Sequence, residues 1–538
     1  TMLRPYKVTM PGGAYVQYDW DNAGKHIVAK TVNSYNARTE YSWKDLVGLT
    51  FIKEPSGKTT RYGYNKKGRL NEIRDSDSCL VVYYDTYLMT EGGDPFNRIM
   101  TFKHLTEDGT EYTCDLEFYN GLGYLDQTIM EDGSGDGHDI ITPYKYDPMH
   151  RADVKSYLPY SGIGSWQRNW RVLSDQQKWY SDYFNDDRPY TERTYETGVS
   201  GRPLTEQKPG AIYQTSGKKI QYVYSLNSQA DEIFDFHHYA ANNSSCPSII
   251  CTGISSEGTL SKVTVINEDN DTTQTFTNAR GRLILERKIN GGVNHDTYHI
   301  YDLKDSLVCV VQPIGSSELH AGKEIIFNGA FALDSCFTWQ YDGKGRVIES
   351  HVPGAGIKRY AYDLRGRLVY MEDSNLINAE GHAMYYTYDD LDRPIIEGVC
   401  VPRHSIDYIR GALSEGYSIT SLLADSFPTT TTEYYSNESS GIPSDLAFKE
   451  VSNVVSSDNV DSTRCITFPS YELVMEVPYF AKRTYPDGKS GTRLVIPHQY
   501  IRRAYWYDKK GRMIQKVEKS SDGWTSRYST KYDFVGNS

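Results

Sequence analysis

Apolar and polar positions alternate with period two through most of this chain, and the alternation is broken at regular intervals by one short polar signature. The clearest copies run Trp339-Gln-Tyr341-Asp342-Gly-Lys-Gly345-Arg346-Val347, Tyr360-Ala-Tyr362-Asp363-Leu-Arg-Gly366-Arg367-Leu368 and Tyr505-Trp-Tyr507-Asp508-Lys-Lys-Gly511-Arg512-Met513. Period two places residues i and i+2 on one face of a strand. The signature is therefore read as aromatic-x-Tyr ending one strand, Asp-x-x-Gly turning the chain, and Arg-apolar opening the return strand. On this reading the paired aromatics form the core stripe and the apolar residue after Arg resumes it. Asp or Asn can accept backbone N–H groups in an Asx-type turn, and Gly supplies the positive φ that closes a hairpin loop. Arg is placed to pair with an Asp or to lie over a Tyr ring of a neighbouring unit.

Looser copies keep the frame: Tyr62-Gly-Tyr64-Asn65 with Gly68-Arg69, and Tyr386-Thr-Tyr388-Asp389 with Asp392-Arg393. More degenerate ones are Tyr18-Asp19 with Gly24-Lys25, Tyr119-Asn120 with Gly123-Tyr124, Tyr146-Asp147 with His150-Arg151, Tyr195-Glu196 with Gly201-Arg202, and Phe276-Thr-Asn278 with Gly281-Arg282. The clustered copies at 341, 362 and 388 are spaced 21 and 26 residues apart, room for two strands of about five or six residues and two turns. Each unit is one hairpin, and a lone hairpin is only marginally stable, so neighbours must cover one another's edges. The expected fold class is all-β, with tandem hairpins coiled into a spiral sheet or solenoid.

Two stretches interrupt the pattern and are read as long loops or degenerate repeats: 163–192, with Trp166, Trp170 and Trp179, and 401–470, rich in Ser and Asn. The division that follows is 1–160, an N-terminal module with degenerate repeats; 161–400, repeat array; 401–470, irregular insertion or degenerate repeats; and 471–538, repeat array again. The tail from Lys531-Tyr532-Asp533 ends partway through a unit, so the chain is expected to be a segment of something longer.

Composition agrees with a sheet that keeps much surface wet. There are 46 Tyr against 16 Phe, and 44 Gly, in 538 residues; Tyr buries its ring while its hydroxyl reaches a polar partner. The net charge of −12 argues against nucleic acid as a partner, which calls for clustered Lys and Arg. No apolar run approaches the ~20 residues of a membrane-spanning helix, and the start lacks the apolar core of a signal peptide, so any export signal is expected outside this chain.

Candidate chemistry is sparse. The eight cysteines form no Cys-x-x-Cys pair; Cys246 and Cys251 either close a disulfide in an exported protein or, like the others, are small buried side chains. Asp132-Gly-Ser134-Gly-Asp136-Gly137-His138-Asp139 begins like a calcium loop, but position 12 is Pro143 where a bidentate Glu is needed, and it is read as a solvated Gly-Asp turn. His237-His238 and His295/His299 invite a zinc reading, yet in a strand His295 and His299 lie ~13 Å apart. With 70 acidic residues, chance proximity of two carboxylates is no glycosidase signal, and no Gly-x-Ser-x-Gly, His-Glu-x-x-His or P-loop occurs. No catalytic residue, cofactor site or metal site is predicted.

The repeated Tyr-Asp-x-x-Gly-Arg-Leu signature resembles the YD-repeat, or Rhs (rearrangement hot spot), family, which also includes insecticidal toxin-complex subunits and the teneurins. Phe118-Tyr-Asn-Gly-Leu-Gly123 through Asp136-Gly-His-Asp139, Tyr144-Lys-Tyr-Asp147 and Tyr157-Leu-Pro-Tyr160 is similar to the N-terminal module of a bacterial branch of that family, with Tyr124 where the pattern has Arg. The resemblance implies a (partial) hollow shell that encloses a C-terminal effector, often a polymorphic toxin, of the same longer polypeptide, and a secreted or cell-surface location with secretion machinery as a partner. In several relatives a later core cleaves itself at Asp-Pro-x-Gly. Here Asp94-Pro95 and Asp147-Pro148 lack the Gly, so the cleaving core and the toxin are expected to lie outside this sequence. The rival reading is a surface adhesion protein whose Trp-bearing loops contact a glycan or protein ligand.

Overall fold

The computed structural model describes residues 4–9, 15–32, 37–54, 58–88, 97–161, 173–198, 200–239, 247–389, 392–431, 433–435, 447–449, 460–472, 479–484, 490–495, 501–508, 512–520 and 523–532. Trp166, Trp170, Cys246, the Asp94-Pro95 pair, Gly511 and the tail beyond Tyr532 lie outside the described residues. The fold is all-β and antiparallel, built mostly by successive hairpins in which a strand pairs with the next; the exceptions skip a strand or two, as where Ile220–Leu226 pairs with Ser261–Ile266 and Leu307–Val311 with Cys336–Tyr341. The chain divides into two compact units: Asp85–Thr101 with Thr113–Ile357, and Thr1–Tyr84 with Phe102–Tyr112 and Lys358–Ser538.

In the first of these, the strands Thr272–Thr277, Leu283–Asn290, Val293–Tyr301, Leu307–Val311, Cys336–Tyr341 and Val347–Val352 follow one another across a sheet. A separate three-stranded sheet of Phe234–Tyr239, Ser248–Ile254 and Glu324–Ile326 shares a core with it. Phe276, Leu285, Tyr298 and Cys309 come from the long sheet, and Ile249 and Ile325 from the small one. One charged pair is taken into this interior: Arg287 lies directly across from Asp296 in the ladder and grips both its oxygens at 2.7 and 2.8 Å. Bidentate geometry is what makes such a pair tolerable away from water.

In the other unit, Leu368–Asp373, Ala383–Tyr388, Pro394–Pro402 and Leu423–Thr431 are consecutive strands, covered on one face by the helix Ile406–Ser414. Ser405 caps that helix, its hydroxyl accepting from the Tyr408 amide, and Ile406, Ile409 and Leu413 recur at helical spacing to meet Val369, Tyr370, Ala383 and Cys400. A further sheet joins Glu433–Tyr435, Val460–Glu472, Ile501–Asp508, Met513–Ser520 and Thr525–Ser529.

Two expectations about interruptions change. Within 163–192, Leu173–Phe184 is a helix, held by Gln176, whose amide donates to the carbonyls of Leu158 and Pro189 at 2.9 Å each. Within 401–470, residues 406–423 contribute buried side chains to a core rather than forming an irregular excursion.

The expected core stripe is only half-buried: Trp339, Tyr341, Tyr360, Tyr362, Tyr505 and Tyr507 keep part of their surface exposed, with Tyr341 packed at the margin of a core cluster, whereas Thr338, Ala361, Ala504 and Trp506 on the alternate face are buried. Tyr carries a hydroxyl that must find a partner, and the half-buried face offers one in the next strand.

Candidate functional site

The element most often repeated is the hairpin joint itself, and its geometry can be followed atom by atom at Asp342. The Asp342 amide donates to the Arg346 carbonyl at 2.9 Å and the Gly345 amide to the Asp342 carbonyl at 3.1 Å. Asp342 Oδ1 accepts the amides of Lys344 and Arg346 at 2.8 and 2.9 Å, and Oδ2 accepts from Arg346 Nε at 2.7 Å. Gly345 sits at φ 79°, where any Cβ is strained. A register shift follows between Gln340 and Tyr341, after which Tyr341 stands opposite Val347. This is a type I turn closed by a left-handed residue in a bulge.

The two bonds from Arg recur at Asp363, Asp389, Asp508 and Asp147, whose Oδ1 atoms accept the amides of Arg367, Arg393, Arg512 and Arg151 and whose Oδ2 atoms accept from their Nε at 2.7, 2.6, 2.7 and 2.9 Å. Asn65, Asn120 and Asn278 keep the two amide contacts without the ion pair. At Asp342, burial pushes the carboxyl up, but the Arg346 amide and guanidinium outweigh it and hold the group below the usual carboxylate range. At Asp147 the amide and guanidinium of Arg151 do the same.

Joints are fastened to the following unit by a Tyr hydroxyl and, at several of them, by an Arg guanidinium as well. Tyr388 donates its hydroxyl proton to the Leu368 carbonyl at 2.8 Å; Tyr341 reaches Leu307, Tyr146 Leu125, Tyr224 Pro203 and Tyr532 Met513 at 2.8, 2.7, 2.9 and 2.9 Å. The guanidinium of the earlier unit then lies over a ring of the later one: Arg367 over Tyr388 at 5.0 Å, Arg512 over Tyr532 at 4.8 Å and Arg202 over Tyr224 at 4.3 Å. The two roles foreseen for Arg, partner of Asp and cover for Tyr, are filled by the same side chain at Arg151, Arg367 and Arg512.

Several joints carry no Gly or Arg. Asp75, Asn267 and Asp302 make the same two amide contacts, with Ser78, Asn270 and Asp305 in the left-handed position at φ 66°, 68° and 65°. In the unit read at Tyr18-Asp19, the turn acid is instead Asp21, whose Oδ1 accepts the Lys25 amide at 2.6 Å. Asp19 lies inside the strand Tyr15–Trp20 and pairs with Arg38.

The calcium-like loop is another joint of this kind. Ser134 takes the Asp role, its hydroxyl oxygen accepting the His138 amide at 2.7 Å, and Gly137 closes the turn at φ 76°. Asp139 is buried and accepts the Asp132 amide at 3.1 Å, so its carboxylate serves the loop backbone. His295 and His299 stand opposite Lys288 and Val310 along one strand. His237 and His238 are neighbours in Phe234–Tyr239, with the His238 imidazole pushed down by burial. Among the described residues no group of three or more His, Cys, Asp or Glu could hold a metal ion. Cys251 is buried, and its thiol is pushed up by desolvation.

Trp179 packs against Tyr160, Tyr180, Tyr183 and Phe184, with ring centroids 4.9 to 6.5 Å away. Among the described residues no helix is long and apolar enough to cross a membrane.

Comparison with solved structures places this architecture. The structure of TcdB2-TccC3 with Cdc42 matches over 99% of this chain and 29% of its own, with a TM-score of 0.55 at 11% identity. This chain shares its fold. TcdB2-TccC3 alone matches at a TM-score of 0.52 and 12% identity, over 99% of this chain and 29% of that one. The Tc holotoxin pore of Photorhabdus luminescens gives 0.50 and 12%, over 99% and 28%. The chain thus spans less than a third of the chains it matches. Residues 97–226 also match a family model described as a domain of unknown function, DUF6443, a stretch that contains the Tyr119-Asn120 and Asp147 joints. No curated protein matches.

Proposed function

We propose that this chain is one stretch of a β-spiral casing that encloses the C-terminal effector of a longer polypeptide and acts without catalysis of its own, outside the producing cell. In this reading 161–400 and 471–538 are wall, and 1–160 is an N-terminal module that begins it. The observation that carries the reading is the joint: successive hairpins are tied by a Tyr hydroxyl and, at Arg202, Arg367 and Arg512, by an Arg guanidinium as well, so a sheet lengthens by repetition, each added hairpin covering the edge of the one before. A wall built this way confines cargo through its backbone ladder and leaves no single side chain in charge of chemistry. The likeness in fold to Tc toxin structures supports it.

The direct test is protease accessibility of the segment encoded downstream. The purified full-length polypeptide is treated with a broad-specificity protease, and the downstream segment is followed with an antibody. Protection that disappears when the casing is unfolded with urea is the expected result; degradation of that segment at the rate of its isolated form contradicts the proposal.

A further inference from the structure

Beside the joint at Asp363 lies a cleft of 270 Å³, formed where the turn 363–367 and the strand Ala383–Tyr388 meet the end of the helix Ile406–Ser414. Its floor is apolar: Val369, Leu413 and Ile419 are all buried. Its rim carries Leu364 and Tyr417, which are 47% and 58% exposed. Gly416, at φ 95°, lets the chain reverse off the helix, and a Cβ there would meet Leu364 Cδ1 at 3.5 Å.

The polar part of the wall is charged but internally balanced. Arg365 donates to Asp392 Oδ2 at 2.9 Å. Arg367 bridges Asp363 at 2.7 Å and Asp392 Oδ1 at 2.9 Å and reaches the Asp389 carbonyl at 3.0 Å. Two guanidiniums thus meet two carboxylates, so the cleft has little net charge with which to hold an anion or a cation. Tyr386, Thr387 and Tyr417 add hydroxyl-bearing side chains to this lining, as does Ser418, whose hydroxyl lies 2.9 Å from that of Thr420, beside the edges of a fixed ion-pair network.

We propose that this cleft binds a neutral pyranose, as the terminal unit of a glycan. A pyranose has an apolar face of C–H groups, which suits an exposed Tyr ring and an aliphatic floor, and a rim of hydroxyls that both donate and accept. Fixed, mutually neutralised Arg and Asp side chains present such partners without a reorganisation penalty, and small clefts with an apolar floor and a few placed polar groups are where small ligands bind. The volume suits one ring rather than a chain. The proposal stands apart from the encapsulation reading, since the cleft lies on one unit and asks nothing of a lumen.

The test is saturation-transfer NMR on the full chain with methyl glycosides of glucose, galactose, mannose and N-acetylglucosamine. Inorganic phosphate, followed by 31P line broadening, and N-acetylneuraminate serve as anionic probes. At least one neutral glycoside receives saturation, and Tyr417→Ala weakens its binding by ten-fold or more. Tyr528→Ala, which removes a ring of similar exposure elsewhere, leaves it unchanged, and both variants keep the parent's thermal midpoint. Absence of transfer to every glycoside, equal binding by Tyr417→Ala, or preference for the anionic probes would each overturn the proposal.

Discussion

Tyr388 donates its hydroxyl proton to the main-chain carbonyl of Leu368 at 2.8 Å, and the two residues belong to successive hairpins. The bond turns a local turn motif into a device for propagation, because the residue that receives the bond is the one placed by the preceding Arg.

Removing that hydroxyl isolates its worth. Tyr388→Phe keeps the ring beneath Arg367 and leaves the Leu368 carbonyl without this donor, a loss of about 1 kcal/mol. Urea denaturation should show a lower midpoint with an unchanged slope.

At Asp342 the amide contacts and the ion pair can be separated. Asp342→Asn retains an oxygen for the Lys344 and Arg346 amides, as Asn65, Asn120 and Asn278 do, and should lose under about 1 kcal/mol, since the pair with Arg346 is partly exposed. Asp342→Ala loses both and should cost about 1–2 kcal/mol. Equal losses in the two variants would show that the ion pair, not the turn, carries the effect.

Backbone strain is testable at Gly345, where nothing lies within 4 Å of a built Cβ. Gly345→Ala should cost about 1–2 kcal/mol through its positive φ alone. Gly345→Asn should cost less, as Asn270 occupies the equivalent position at φ 68°. Calorimetric midpoints in that order support the assignment.

Stability should fall at both ends of the pH scale. Asp147 and Asp342 titrate below the usual carboxylate range in the folded chain. Their contribution is full above the unfolded pKa of about 4 and is lost as pH falls through the lower folded values. Burial raises the phenols of Tyr341 and Tyr388. Their contribution is full below about pH 10 and is lost as pH rises through the higher folded values. Circular dichroism at fixed urea should therefore give acid and alkaline transitions, the alkaline one diminished in a Tyr341→Phe/Tyr388→Phe variant.

Much of the joint was legible because its chemistry is local: Asp accepting the amides two and four residues on, and Gly at positive φ, both follow from spacing. The joints at Asp75, Asn267 and Asp302 lack the Gly-Arg mark because Ser78, Asn270 and Asp305 also enter the left-handed region, so the sequence carries no distinctive sign of them. Tyr-Asp as the anchor points to Asp19, whereas it is Asp21 that holds the turn's three-residue offset from Gly24. The helix Ile406–Ser414 had a readable start, Ser405 with Asp407 two residues on, and apolar residues at 406, 409 and 413. Ser-rich sequence around it resembles a loop and masks that spacing. The face of the Tyr stripe could not be told from periodicity, since period two marks two faces without saying which is deeper. The cleft brings together segments some fifty residues apart, and only the packed structure joins them.

The central claim is enclosure, and electron microscopy of the full-length polypeptide tests it most directly. A reconstruction in which these hairpins coil as the wall of a hollow body with density inside is the predicted result; a solid rod with no lumen would contradict it.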